Sequence, residues 1–213
     1  MLQVKTFICN PYQENTYILF DGNGSCAIID PGMYTKDEED AVVSFIKDNN
    51  LKPQLLLNTH CHVDHVLGNK FVFDTYGLTP QFHEGELPLL VEVQNYAPQM
   101  GIRYEVSPIP ETFLSGEGHV ILGDETLKII LAPGHSPGHL CFYHKKQGFL
   151  IGGDVLFKNS IGRTDLPGGN HQELIASISK KLYTLPDDTI VYPGHGSATT
   201  IGEEKLDNPF IKG

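Results

Sequence analysis

The chain has 213 residues, 40% of them hydrophobic and 19% charged, with a formal net charge of -11. This length and apolar fraction suit a folded domain with a sizeable core, and they exclude a disordered chain and a disulfide-stapled miniprotein. Acidic residues outnumber basic ones, 26 against 15, and no long basic run occurs. A nucleic-acid partner is therefore not expected, because counterion release from phosphates requires clustered Lys and Arg.

The sequence also indicates the compartment. The N-terminus lacks a charged segment followed by a long apolar run, and no later stretch approaches the roughly 18 apolar residues of a membrane span. The four cysteines are scattered without a CxxC pair, which favours buried thiols in a reducing compartment. We expect a cytoplasmic protein with a small-molecule substrate and no membrane partner, and the sequence leaves the oligomeric state open.

The N-terminal half alternates between strand and helix patterns. Residues 21–24, Asp-Gly-Asn-Gly, predict a hairpin turn between two strands. A helix then begins with the acidic run 37–40, which we interpret as a solvated helix start. The predicted elements are strands at 3–9, 15–20 and 25–30, a helix at 36–49, a strand at 54–58, a helix at 65–76, a strand at 79–82 and a helix at 87–96.

Two segments of this half bear on a site. The strand at 54–58 has an apolar run at its centre, which predicts burial on both faces and places the residues from His60 onward in a loop at the end of a strand. The segment 85–113 is less regular and contains several prolines. We interpret it as a flap over a site.

The C-terminal half repeats the order of strands, helix and strand. Its predicted elements are strands at 118–122, 126–131, 139–144 and 149–151, a helix at 172–185 and a strand at 189–192. Because no low-complexity linker separates the halves, we predict a single domain over residues 1–213. Two mixed β-sheets packed together with helices outside, a four-layer αββα sandwich of the α/β (α+β) class, would bury every apolar face.

The chemistry concentrates in the sequence T-H-C-H-V-D-H, which places His60, His62, Asp64 and His65 within six residues. Three imidazoles and a carboxylate in one place cost desolvation and mutual repulsion unless a cation organises them. His60 and His62 can turn toward one metal ion, while Asp64 and His65 point to a second position nearby.

Three further residues follow predicted strands between Gly or Pro residues that can fix a loop. They are His135 in A-P-G-H-S, Asp154 in G-G-D-V and His195 in Y-P-G-H-G. Each motif is weak alone, but in this order with H-x-H-x-D-H they indicate a metal site. His139, four residues after His135, is the best candidate among the other histidines to support a ligand.

These motifs resemble those of metallo-β-lactamase-fold hydrolases of the glyoxalase II-like branch, over nearly the whole chain. The resemblance implies an αββα sandwich with His60, His62 and His135 on one metal ion, Asp64, His65 and His195 on another, and Asp154 bridging. Asp30, in the D-P-G at residues 30–32, also resembles a family element that supports the site. A plain turn residue at the end of a strand explains Asp30 equally well.

The implied cofactors are two divalent metal ions, zinc first, with iron or manganese as alternatives. They would supply a hydroxide that attacks the carbonyl of a thioester or related small acyl substrate, with Asp64 as the catalytic residue that orients it or takes its proton. Cys61, between two ligands, is interpreted as a spacer. An alternative is a mononuclear iron persulfide dioxygenase that uses His60, His135 and Asp154. A non-hydrolytic binding or electron-transfer module and a nuclease are disfavoured by size and charge.

The chain departs from glyoxalase II after the last histidine, because only residues 196–213 remain where that enzyme adds a helical domain for glutathione. Its G-R-T-D element at 162–165 is more similar to the compact glyoxalase II-like hydrolases and persulfide dioxygenases. Arg163 in this element is the candidate substrate-binding residue, since its guanidinium could hold a carboxylate. Alternatively it pairs with Asp165 and braces the loop.

Overall fold

The computed structural model describes all residues from Met1 to Gly213. The chain divides into two compact units: residues 1–114 with 121–125 form the first, and residues 115–120 with 126–213 the second. The prediction of a single domain over residues 1–213 stays a prediction. No helix has both the length and the apolar composition required to cross a membrane.

A five-stranded mixed sheet forms the centre of the first unit. Its strands are β1 (Gln3–Cys9), β2 (Glu14–Phe20), β3 (Ser25–Ile29), β4 (Lys52–Leu57) and β5 (Pro80–Gln81), in spatial order of their numbers. The first three are antiparallel and the last three parallel. The predicted β2–β3 hairpin is confirmed, and the Asp21 carboxylate accepts hydrogen bonds from the backbone N–H groups of Asn23 and Ser25 across the turn.

The helices of this unit are α1 (Lys36–Asp48), α2 (Val63–Val66), α3 (Asn69–Tyr76) and α4 (Leu87–Tyr96), with 3-10 turns at Glu84–Glu86 and Ala97–Met100. The prediction of one helix at 65–76 is wrong. The chain breaks at Gly68, whose N–H donates to Pro31 O at 2.7 Å instead of continuing a helical ladder. A Cβ at Gly68 would lie 2.9 Å from that oxygen, so only glycine allows this approach.

The structure differs from the sequence-based expectations at the start of α1 and along β4. The acidic run does more than begin a solvated helix, because the Glu38 carboxylate accepts from the backbone N–H groups of Asn10, Tyr34 and Thr35. With the Thr35 side chain it forms a capping box. Burial of β4 on both faces is limited to its end at Leu56–Leu57, where the strand delivers the loop that carries the histidines.

The second unit contains most of a six-stranded mixed sheet with the order β13-β12-β9-β8-β7-β6. Its strands are β6 (His119–Leu122), β7 (Glu125–Leu131), β8 (Leu140–His144), β9 (Phe149–Gly153), β12 (Ile190–Pro193) and β13 (Thr199–Thr200). A hairpin of β10 (Leu156–Phe157) and β11 (Ser160–Ile161) stands apart from this sheet. Strand β12 runs parallel to β9.

Helix α5 (His171–Ser177) continues as a π-helical segment, Ile178–Leu182, and α6 (Ile201–Asp207) follows β13. Leu174, Ile178 and Leu182 pack into one hydrophobic cluster with residues of the sheet, as their helical spacing predicts. The sequence patterns did not predict β10, β11, β13 or α6, which are all short. The predicted fold class, two mixed β-sheets with flanking helices, is confirmed.

We predict that Glu38→Ala lowers the free energy of unfolding by about 2 kcal/mol, because three backbone N–H groups lose a charged acceptor. Chemical denaturation measures the change. Asp37→Ala is the matched control, since Asp37 is an exposed acidic residue in the same helical turn. Equal losses in the two variants would show that Glu38 contributes only its charge at the helix start.

Candidate metal centre

The first unit gathers four predicted ligands at the end of β4. His60 and His62 lie in the loop between β4 and α2, and Asp64 and His65 lie in α2. The His60 ring centroid is 4.9 Å from that of His62 and 4.1 Å from that of His65. His65 Nε2 is 3.7 Å from an oxygen of Asp64. The H-x-H-x-D-H sequence thus forms a compact group in which His60 and His65 are fully buried.

One buried carboxylate, that of Asp30, organises this group. It accepts hydrogen bonds from the Thr59 N–H and from the Thr59 hydroxyl, both at 2.6 Å, and lies 3.1 Å from His65 Nδ1. A carboxylate oxygen only accepts, so His65 carries a proton on Nδ1. Because the Thr59 hydroxyl gives its proton to Asp30, its oxygen accepts from His60 Nδ1 at 3.0 Å. In the neutral form, both rings therefore present Nε2 as a lone pair.

Asp30 adopts a left-handed backbone conformation, with φ of 48°. This conformation is uncommon outside glycine, and Asp and Asn are among the residues that tolerate it. It turns the chain directly after β3 and sends the side chain to Thr59, 29 residues later. The turn and the support of the site, which the sequence left as alternatives, are therefore combined in one residue.

Asn10, between β1 and β2, fixes the backbone at Asp64. Its amide donates to Gly32 O at 2.9 Å and to Asp64 O at 3.0 Å. A Cβ at Gly32 would lie 2.1 Å from a Glu14 oxygen and 2.6 Å from Asp64 O, so the close approach requires glycine. Burial raises the pKa of the Glu14 carboxyl well above its ordinary value, although the nearby His65 opposes this shift. No sequence motif marked Asn10 or Glu14 for this role.

The second unit brings the other three predicted ligands together. Asp154 follows β9 and His195 follows β12, while His135 lies in the loop between β7 and β8. One oxygen of Asp154 is 3.6 Å from His135 Nε2 and 3.6 Å from His195 Nε2. His135 Nδ1 lies 2.9 Å from the carbonyl oxygen of Arg163, which only accepts, so this ring also presents Nε2 as a lone pair.

His139 and Arg163 support these residues in different ways. His139 is fully buried, and its Nε2 accepts from the Asp154 N–H at 3.0 Å, so the expected supporting contact is present. The Arg163 guanidinium forms two hydrogen bonds to Asp165, both of 2.7 Å, and this exposed pair holds the pKa of Asp165 at about 2. The geometry corresponds to the bracing alternative, and substrate binding by Arg163 stays a prediction.

The residues present fit a divalent metal. Imidazole nitrogens and carboxylate oxygens are donors that zinc, iron and manganese accept. The Nδ1 contacts of His60, His65 and His135 with oxygen acceptors are those that orient metal-ligating histidines in proteins. Within the first unit, potential donor atoms of Asp30, His60 and His65 all lie within 4.8 Å of one another. The donor set by itself does not select one metal.

The cysteines do not add chemistry to the site. All four are buried, as predicted, and none forms a disulfide. Burial raises the pKa of the Cys61 thiol well above its ordinary value, and the nearby carboxylates of Glu86 and Asp30 contribute smaller increases. A buried neutral thiol is a poor nucleophile. This environment fits the interpretation of Cys61 as a spacer between His60 and His62.

Comparison with known proteins shows the family. The metallo-beta-lactamase superfamily matches residues 9–195. A probable metallo-hydrolase, YqgX of Bacillus subtilis, is 37% identical over 95% of this chain and 94% of its own length. The hydroxyacylglutathione hydrolase GloC of Haemophilus influenzae is 36% identical over 94% of this chain and 93% of its own length. These alignments cover nearly the full length of each relative.

Solved structures agree with this result. The structure of the BLEG-1 B3 metallo-beta-lactamase is 36% identical, covers 99% of this chain and 100% of its own, and superposes with a TM-score of 0.90. TTHA1623, in a di-iron-bound form, is also 36% identical and covers 97% of this chain and 100% of its own, with a TM-score of 0.87. The fold is therefore shared over the whole chain.

We predict that Asp30→Asn weakens zinc binding by about 10- to 100-fold, the range typical when a residue supporting a metal ligand is lost. The new amide would place a donor against the Thr59 hydroxyl or His65 Nδ1, both of which donate. Competition with a chromophoric chelator measures the affinity. Asp21→Asn is the matched control, because Asp21 is also a buried turn residue that follows a strand. Wild-type affinity in Asp30→Asn would contradict the assigned role.

We predict that Gly162→Ala disturbs the second unit. A Cβ there would lie 2.0 Å from Asp154 O and 3.3 Å from the Cβ of His135. We expect a loss of about 2 kcal/mol in stability from overpacking, together with a lower metal content. Gly22→Ala, whose Cβ would meet nothing within 4 Å, is the control. Thermal unfolding and elemental analysis check the prediction, and an unperturbed Gly162→Ala protein would refute it.

Proposed function

Because the chain belongs to the metallo-β-lactamase superfamily, we propose that it is a metal-dependent hydrolase of a thioester or related small acyl substrate. The observation that carries this proposal is the hydrogen bonding of Nδ1 in His60, His65 and His135 to oxygen acceptors, which leaves Nε2 for a metal. The full-length similarity to a protein named hydroxyacylglutathione hydrolase supports the thioester class.

The ligand assignment is part of the proposal. One metal ion would be held by His60, His62 and His135 and a second by Asp64, His65 and His195, with Asp154 available to both. The position of one Asp154 oxygen at 3.6 Å from Nε2 of both His135 and His195 supports the bridging role. Zinc is the first expectation, and the di-iron form of TTHA1623 supports iron as the alternative.

Bound divalent metal ions would supply a hydroxide at neutral pH and polarise the substrate carbonyl. Asp64, half-buried beside His65, has a carboxylate that can accept the proton of the attacking nucleophile and orient it. Asp30 and Thr59 keep the Nδ1 protons of His65 and His60 in place throughout. A thiolate is a good leaving group, so this step needs no general acid from the protein.

The decisive experiment measures metal and activity on the same preparation. Protein purified without added metal should contain close to two transition-metal ions per chain and should hydrolyse S-lactoylglutathione. A cephalosporin tests β-lactam hydrolysis, and oxygen uptake with glutathione persulfide tests the dioxygenase alternative. One iron per chain with persulfide-dependent oxygen uptake would select the dioxygenase. A metal-free protein with no hydrolysis after reconstitution would refute the proposed function.

We predict that Asp64→Asn loses one of the two metal ions and lowers the rate of thioester hydrolysis by about 100-fold or more, because both a ligand and a proton acceptor are removed. Asp74→Asn, an exposed aspartate in α3, is the control. Elemental analysis and steady-state kinetics give the two readouts. Unchanged metal content and rate in Asp64→Asn would remove this residue from the site.

A further inference from the structure

The segment 60–64, called the ligand loop from here on, alternates between residues of two kinds. His60, His62 and Asp64 can bind metal, whereas Cys61 and Val63 between them are apolar and buried, with 0% and 6% of their surface exposed. His62, the residue between them, has an extended backbone and precedes α2, which Val63 begins. The apolar members belong to one hydrophobic cluster with residues before and within α4. The loop therefore packs one side against α4 while it carries the ligands on the other.

Two polar contacts join α4 to the same loop. Glu86, which immediately precedes α4, is fully buried, and its carboxylate accepts from the Cys61 N–H at 2.8 Å. Tyr96, the last residue of α4, packs against the hydrophobic cluster that contains Val63, and its hydroxyl is hydrogen-bonded to the Val63 backbone. Cys61 and Val63 flank His62 in the chain. The residues at the two ends of α4 therefore hold the backbone on both sides of His62.

Glu86 is a buried carboxylate, so its hydrogen bond to Cys61 has to compensate for lost hydration. Removing a carboxylate from water costs free energy unless hydrogen bonds compensate, and an apolar side chain would fill a helix start without that cost. The pairing with a backbone N–H between two histidines gives the carboxylate a specific partner. The apolar side chains of Leu90 and Val93 in the same cluster already supply packing between α4 and the loop. The two polar contacts also fix the position of the loop backbone relative to α4.

We propose that Glu86 and Tyr96 are positioning residues that set the orientation of His62 toward its metal ion. Helix α4 is then a fixed brace of the ligand loop, in contrast to the flap expected from the sequence of segment 85–113. This inference rests on the proposed function only in that His62 binds a metal. It assigns a role to two residues that do not themselves contact the metal.

The test compares Glu86→Ala, Glu86→Gln and Tyr96→Phe in the full chain, with Glu84→Gln as the control. Glu84 is an exposed carboxylate in the same 3-10 turn. Zinc affinity is measured by chelator competition, and the visible absorption of the cobalt-substituted protein reports ligand geometry. We expect Glu86→Ala to weaken zinc binding about 10- to 100-fold and to change the cobalt spectrum. Glu86→Gln should restore most of both, because its amide oxygen can still accept from Cys61.

Tyr96→Phe removes one hydroxyl without opening a cavity, so it keeps the test valid if Glu86→Ala fails to fold. We expect it to alter the cobalt spectrum at an almost unchanged melting temperature. Wild-type zinc affinity and cobalt spectra in Glu86→Ala and Tyr96→Phe would overturn the inference and leave the proposed function standing. A wild-type protein that binds neither metal would overturn both.

Discussion

The candidate metal-binding residues of the first unit depend on the hydrogen bonds that the Asp30 carboxylate accepts. It receives the Thr59 N–H, the Thr59 hydroxyl and His65 Nδ1. The direction of these hydrogen bonds propagates through the Thr59 hydroxyl to His60, so one acidic side chain determines the tautomers of two imidazoles. Without an acceptor at this position, nothing in this hydrogen-bond chain would favour the tautomer that presents the Nε2 lone pair to a metal.

The surroundings of this contact show why buried carboxylates are tolerated near the ligands. Glu14, Asp30 and Glu86 are all buried, a costly arrangement in the absence of positive charge or hydrogen-bond donors. Asp30 and Glu86 accept from backbone N–H groups of the ligand loop, whereas Glu14 accepts from the Thr16 hydroxyl. Acidic side chains therefore organise the loop from several directions. A divalent cation bound nearby would oppose the rise that burial causes in the pKa of the Glu14 carboxyl.

In the second unit, different groups orient the candidate ligands. The supporting acceptor for His135 is a backbone carbonyl, that of Arg163, and His139 fixes Asp154 by accepting its N–H. The Arg163 guanidinium is occupied at the surface by Asp165. Gly162 permits the close approach of this loop to Asp154. Arg163 thus supports the site through its backbone carbonyl. The neighbouring Gly162 makes the close approach of the loop possible.

Local sequence by itself determined much of this protein. Period-two and helical patterns located all the longer strands and helices, since those patterns reflect which face of an element is buried. The spacing in H-x-H-x-D-H, with the later His and Asp residues at strand ends, indicated a metal site and the family. Very short elements such as β10 and β11 were missed because a two-residue strand has no periodicity to detect.

Only the tertiary structure decided how the candidate ligands are held. The contacts from Asp30 to Thr59 and from Glu86 to Cys61 join residues 29 and 25 positions apart, and no local pattern encodes such a pairing. A buried glutamate before a helix has the same local sequence as a solvated one, so Glu86 gave no signal. Likewise, Glu38 looked like one of four surface charges until the fold brought Asn10 to it. The sequence names the atoms that can bind a metal, whereas long-range hydrogen bonds set their protonation and direction.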